Sequence, residues 1–121
     1  MPADRVTAIL KSNDVSATIA WYRGVGFQVR EVFPDEGAPT FCEVARDGVV
    51  LRFLDADDAP WPEPPGFTGT IYLYPESVDA LYEEIRGHTE PAWGPEDREW
   101  GDRELGLRDP DGYFLTFTEP A

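Results

Sequence analysis

The sequence predicts an α+β fold made of two tandem βαβββ modules that form a curved mixed-sheet cup, and three observations carry that expectation. Shifting the chain by 63 residues lays Thr7 on Thr70, Leu10 on Leu73, Val15 on Val78, Ala17 on Ala80, Arg23 on Arg86 and Gly24 on Gly87. A shift of 64 lays Asp47-Gly48-Val49-Val50-Leu51-Arg52-Phe53 on Asp111-Gly112-Tyr113-Phe114-Leu115-Thr116-Phe117, a drift that one inserted loop residue explains. Each half also reads as strand, amphipathic helix and three further strands.

In the first half, residues 5–11 alternate as a strand, and Asn13 or Asp14 caps a helix over about 15–24. Val15, Ile19 and Tyr22 stand at i, i+4, i+7 spacing, and Gly24 ends the run. Strands near 27–33 and 40–45 follow, then a tight hairpin at Asp47-Gly48 and a strand over 49–54. In the second half, residues 69–74 form a strand and Ser77 caps a helix whose stripe is Val78, Leu81, Tyr82 and Ile85, closed by Gly87. Strands near 90–93 and 103–108 lead to the turn Asp109-Pro110-Asp111-Gly112 and a last strand over 113–118. Between the halves, four prolines within 60–65 predict an extended, semi-rigid connector. The expected organisation is one domain over 1–121, with module one at 5–55, the linker at 56–66 and module two at 67–119.

Strand alternation sorts the two sheet faces. Leu10, Leu51, Phe53, Leu73, Leu115 and Phe117 share one parity and are expected beneath the helices. The opposite parity carries Thr7, Ile9, Val50, Arg52, Thr70, Tyr72, Phe114 and Thr116, a polar and aromatic set expected to line a concave, ligand-binding face.

Composition bounds the chemistry. With 41% hydrophobic and 13% aromatic residues in 121, the chain supplies one globular core. Ten basic against 24 acidic residues give a net charge of −14, which repels nucleic acid and anionic membranes. That field concentrates a cationic ligand, or simply keeps a solvated surface soluble. Cys42 stands alone, so no intrachain disulfide forms, and the first ten residues show neither a basic leader nor a long apolar run. A cytoplasmic protein is the expectation.

The inventory for catalysis is thin. His88 is the single histidine and falls just past the second helix, where an exposed residue is expected; Cys42 reads as a small buried strand residue. Glu43 and Glu104 form either an acid–base pair across the sheet or two carboxylates each paired with a basic neighbour. Arg52, if it points inward, pairs with one of them or recognises an anionic group on a ligand. Trp61, Trp93 and Trp100 lie in acidic, Pro-rich surroundings where exposure is expected. Such planes suit a flat cationic ligand, each contact contributing about 1 kcal/mol, or else cover the cup mouth or a dimer interface.

The duplicated βαβββ unit, the helix end Trp21-Tyr22-Arg23-Gly24-Val25-Gly26-Phe27 and the closing run from Trp100-Gly101-Asp102-Arg103-Glu104 to Arg108-Asp109-Pro110-Asp111-Gly112 resemble the vicinal oxygen chelate superfamily. The closing run is most similar to the bleomycin-resistance branch, with Asp102 interrupting the branch pattern. The resemblance implies a homodimer whose sheets curve into cups, with ligand clefts between subunits. It places the metal-ligand positions of the family's metal enzymes on Thr7, Arg52, Thr70 and Thr116, none of them a good ligand, so no metal and no cofactor are expected. It also matches Trp100 to a drug-groove aromatic and brings Phe33 near the groove. The expected activity is metal-independent binding of a planar, cationic, antibiotic-type molecule in a dimer cleft, without catalysis, nucleic acid or membrane. The expected ligand-binding residues are Phe33, Glu43, Arg52, Trp61, Tyr72, Trp100, Glu104 and Phe114. Two alternatives stand beside it: a non-metal lyase or isomerase using Arg52, Glu43, Glu104 or Tyr72, and a regulatory module with a shallow cup.

Overall fold

The structure, a computed structural model, describes residue 3 and residues 5–120, so the ends of the 1–121 span lie partly outside the described residues. The elements run β1 (Ala8–Ser12), α1 (Val15–Gly24), β2 (Gln28–Phe33), β3 (Phe41–Arg46), β4 (Val49–Asp55), β5 (Thr70–Leu73), α2 (Val78–Ile85), β6 (Trp93–Asp97), β7 (Asp102–Arg108) and β8 (Phe114–Pro120). They build two four-stranded sheets, ordered β1-β4-β3-β2 and β5-β8-β7-β6. The duplication is written into the ladders. Leu10 faces Phe53 as Leu73 faces Phe117, and Ile9 faces Arg52 as Tyr72 faces Thr116, both in parallel pairs.

Each helix starts on a polar cap. The Asp14 carboxylate accepts from the Ala17 amide at 3.1 Å and the Ser77 hydroxyl from the Ala80 amide at 3.0 Å, satisfying amides that the first turn leaves unpaired. Asn13, the other candidate cap, instead donates its amide to Asp111 at 2.8 Å. The apolar stripes then bury Val15, Ile19 and Tyr22 from α1 and Val78, Leu81 and Ile85 from α2 against Leu51, Phe53, Leu115 and Phe117. The expected core parity is the observed one, with Leu10 half-buried at its edge.

One strand is displaced from its expected place. The sixth strand is expected near 90–93, yet β6 is Trp93–Asp97 and runs through Gly94 and Pro95. It lies at the sheet edge, where a proline loses no ladder bond, and its register shifts between Trp93 and Glu96. Gly94 adopts φ +75°, and a Cβ there would overlap the Glu104 carbonyl. Among the described residues no helix is long and apolar enough to cross a membrane.

The final turn joins the modules. Tyr22 donates its hydroxyl to Asp109 Oδ2 at 2.8 Å, while Asp109 Oδ1 accepts from the amides of Asp111 and Tyr113, both at 2.9 Å. Asp111 accepts the Thr18 hydroxyl at 3.1 Å, and the Tyr113 hydroxyl reaches the Lys11 carbonyl at 2.9 Å. Burial pushes the Asp109 carboxyl up to about 6, outweighing the backbone and Tyr22 hydrogen bonds that favour its charge.

Between the ordinary value of 3.8 and about 6, the folded state therefore holds more protons at Asp109 than the unfolded chain. Its contribution to unfolding free energy falls as pH rises through that window, by up to about 3 kcal/mol. Asp109→Asn keeps the acceptor for both amides and does not titrate. The melting temperature of the wild type should fall relative to Asp109→Asn across this window; a constant difference would contradict the raised value.

Candidate functional site

The strand parity that leaves the core produces two open sheet faces, one per module, and they are built differently. On the first sheet, Phe33, Phe41 and Leu54 floor a groove of about 790 Å3, whose charged lining is Glu31, Asp35, Asp58 and Arg30. Phe33 pairs with Phe41 across the ladder and is 66% exposed. Beside the groove, Glu43 is only 5% exposed and accepts from Arg52 Nε at 2.8 Å, with Arg30 Nε at 3.4 Å. The Arg52 guanidinium lies over the Phe41 ring at 5.8 Å, and its hydrogen bond to Glu43 holds it above its ordinary value. Arg30 also lines a smaller polar cavity of about 210 Å3 together with Thr7, Glu43 and Val50. The Arg30–Glu43–Arg52 triad thus stands between an apolar groove and a polar one.

On the second sheet a glycine changes the surface. Gly106 faces Thr116 as Glu43 faces Arg52, so the repeat places it where the first module carries its carboxylate. A Cβ at Gly106 would overlap the Trp93 indole, and the bare backbone lets that ring rest on the strand. Trp93 stacks on Phe114 at 5.6 Å and 32°, and Arg108 covers the Phe114 ring at 5.8 Å. Arg98 lies over Trp93 at 5.8 Å and over Trp100 at 5.6 Å. Its Nε donates to Glu104 Oε1 at 3.2 Å, and the Tyr72 hydroxyl donates to Oε2 at 3.3 Å. Glu104 is 3% exposed, and its charge raises the Tyr72 phenol above its ordinary value.

The structure therefore brings Phe33, Glu43 and Arg52 together on the first face, and Tyr72, Trp100, Glu104 and Phe114 on the second. Trp61 belongs to neither set: it lies over the Lys11 ammonium at 5.9 Å, and the same ammonium donates to the Glu63 carbonyl. Lys11 pairs with Leu54, so Trp61 closes the end of the first face without lining its groove. Glu43 and Glu104 sit on different sheets, each bonded to its own arginine, so within one chain they make no acid–base pair. Trp93 is not the exposed loop residue expected but a half-buried strand residue. The sequence reading also passed over Phe41, Arg30, Arg98 and Gly106. The available signal was the repeat: aligning β3 with β7 through their β4 and β8 partners sets Glu43 against Gly106 and Phe41 against Glu104.

The positions that bind metal in the resembled enzymes do not fit an ion. Thr70 and Thr116 share a hydrogen bond at 2.7 Å, and Arg52 places a cation at a third position. Among the described residues no group of three His, Cys, Asp or Glu side chains converges as a metal site. His88 is exposed; Cys42 is buried, and burial pushes its thiol up to about 11, away from nucleophilic use.

Residues 5–117 match the sequence profile of the Glyoxalase/Bleomycin resistance protein/Dioxygenase superfamily. The chain belongs to this superfamily. Solved structures agree with the fold. TioX from Micromonospora sp. ML1 superposes with a TM-score of 0.80 at 17% identity, covering 98% of this chain and 100% of that one. A bleomycin resistance determinant encoded on the transposon Tn5 gives 0.69 at 27%, covering 98% of each chain. A bleomycin-binding protein complexed with bleomycin gives 0.69 at 26%, covering 98% and 100%. By sequence the chain matches no curated protein.

Gly106→Ala tests the second face directly. The added methyl should lift Trp93 from the strand, costing about 1–3 kcal/mol in denaturant unfolding and shifting tryptophan emission to longer wavelength. Unchanged stability and emission would show that the indole does not rest there.

Proposed function

We propose that the protein is a metal-independent binding protein of the bleomycin-resistance kind, sequestering a planar, cationic, antibiotic-type molecule in a cleft completed by a second copy of the chain. The observation that carries this reading is the groove floored by Phe33, Phe41 and Leu54 with carboxylates around it. Flat aromatic walls receive a planar ring system, and Glu31, Asp35 and Asp58 outnumber Arg30, itself paired with Glu43, and favour a positive substituent. The net charge of −14 draws such a molecule in from solution. Both open faces leave large apolar side chains exposed, Ile9 and Phe33 on one and Tyr72 and Trp100 on the other, which supports a homodimer that turns two open faces into one enclosed cup. The bleomycin-resistance and bleomycin-binding structures at 27% and 26% identity support the ligand class. Binding without turnover is further supported by the state of the two buried carboxylates, since an acid already bonded to an arginine is poorly placed to exchange protons with substrate.

Titrating bleomycin-type glycopeptides and intercalating antibiotics while following tryptophan emission should give saturable quenching, with one ligand site per cleft. Trp100→Ala and Phe33→Ala should each weaken binding several-fold, the effect of losing one stacking contact of about 1 kcal/mol. Absence of quenching across the panel would falsify the reading.

A further inference from the structure

We infer that the second sheet face holds a site for a flat, delocalised cation, and that the protein's own Arg98 occupies it as a displaceable plug. This deepens the binding function proposed above and rests on it. A guanidinium is itself a planar delocalised cation, and Arg98 sits within stacking distance of two indoles, 5.8 Å from Trp93 and 5.6 Å from Trp100. Its Nε–H is directed at Glu104, which is 3% exposed and shares its other oxygen with Tyr72. Two indole rings within cation–π distance and a buried carboxylate are the surroundings that an amidinium, a guanidinium or a protonated heteroaromatic ring requires. A neutral ring would leave Glu104 with the Tyr72 hydroxyl but no counter-charge, and an anion would be repelled by it.

Two further features point to a ligand site rather than a structural ion pair. The only buried side-chain polar atoms without a partner among the described residues are Trp93 Nε1 and Thr118 Oγ1. Trp93 is a wall of this site, and Thr118 pairs with Glu104 in the ladder, so both orphans belong to the same face. Arg98 also lies outside the strands, in the turn between β6 and β7, whose main chain is held by bonds from the Arg98 amide to Asp102 and from the Gly101 amide to Arg98. Its guanidinium is held only by side chains, through Glu104 at 3.2 Å, Glu96 at 3.8 Å and the two rings, so rotation about its own side-chain bonds releases it. Arg52 on the first face differs: it lies within β4 between two strands and touches a single ring. The plug belongs to the second face alone, and a ligand must outcompete a guanidinium tethered beside the site.

The test uses one ring system in three charge states at neutral pH: 9-aminoacridine as cation, acridine as neutral ring and acridine-9-carboxylate as anion, titrated against the full-length protein. Removing the plug with Arg98→Ala or Arg98→Gln should tighten binding of 9-aminoacridine by about tenfold or more and leave the carboxylate unimproved. Adding Glu104→Gln should abolish that gain. Free methylguanidinium should raise the melting temperature of Arg98→Ala more than that of the wild type, which gives a readout even where that variant is destabilised. The plug is refuted if Arg98→Ala and Arg98→Gln bind the cation no better than the wild type and methylguanidinium does not restore stability. If the wild type binds planar ligands under those results, the binding function survives without the plug. A gain confined to the plug-free variants, with the antibiotic panel inert, supports the site and rejects the antibiotic-type reading.

Discussion

Everything functional in this molecule depends on how the last turn of module two docks onto the first helix of module one. Asp109 and Asp111 receive Tyr22, Thr18 and the Asn13 amide, and Tyr113 reaches back to the Lys11 carbonyl. Phe53 and Tyr113 approach to 6.4 Å in the same region, so the cores beneath the two helices merge into one. Each helix packs on its own sheet, and the opposite sheet faces keep large side chains such as Phe33, Tyr72 and Trp100 exposed. The cost of that arrangement is concentrated in Asp109, whose burial opposes its charge; the gain is two faces left available for contact with something else.

Those faces resolve the apparent contradiction between an acidic chain and arginines pointing into its cups. Glu43 and Glu104 are buried, and a buried carboxylate without a partner is strongly destabilising. Each is met by a nearby guanidinium, which then finds an aromatic plane: Arg52 on Phe41, Arg98 on Trp93 and Trp100. The acidic excess lies elsewhere, including Asp35 and Asp58 at the first groove. Net charge thus acts on approach from solution, while local pairing decides what each face accepts.

The two modules share a backbone and diverge at single positions. Glu43 in one is Gly106 in the other, and that one exchange converts a charged floor into a bed for an indole. The repeat makes the pairing readable in hindsight, but a direct comparison of Glu43 with Glu104 obscures it, because the true counterpart of Glu104 is Phe41. Similarly, nothing local marked Gly94 and Pro95 as part of an edge strand, since edge position is a property of the whole sheet. Trp61 had acids on both sides in sequence, yet its partner is Lys11, fifty positions away in the chain.

The sequence alone determined the duplicated unit, the helices with their caps and apolar stripes, and the parity that separates core from open face. These are local or periodic properties: a cap acts over three residues and a strand alternates every two, so they are written in consecutive positions. The resemblance to the superfamily added that the positions of its metal ligands fall here on threonines and an arginine. Only the tertiary structure decided which arginine serves which buried glutamate, that Trp93 lies on Gly106, and that Arg98 lies within cation–π distance of both Trp93 and Trp100. Those pairings depend on strand order and on which side chain crosses a ladder or a turn, and contacts of that kind leave no periodic trace in the chain.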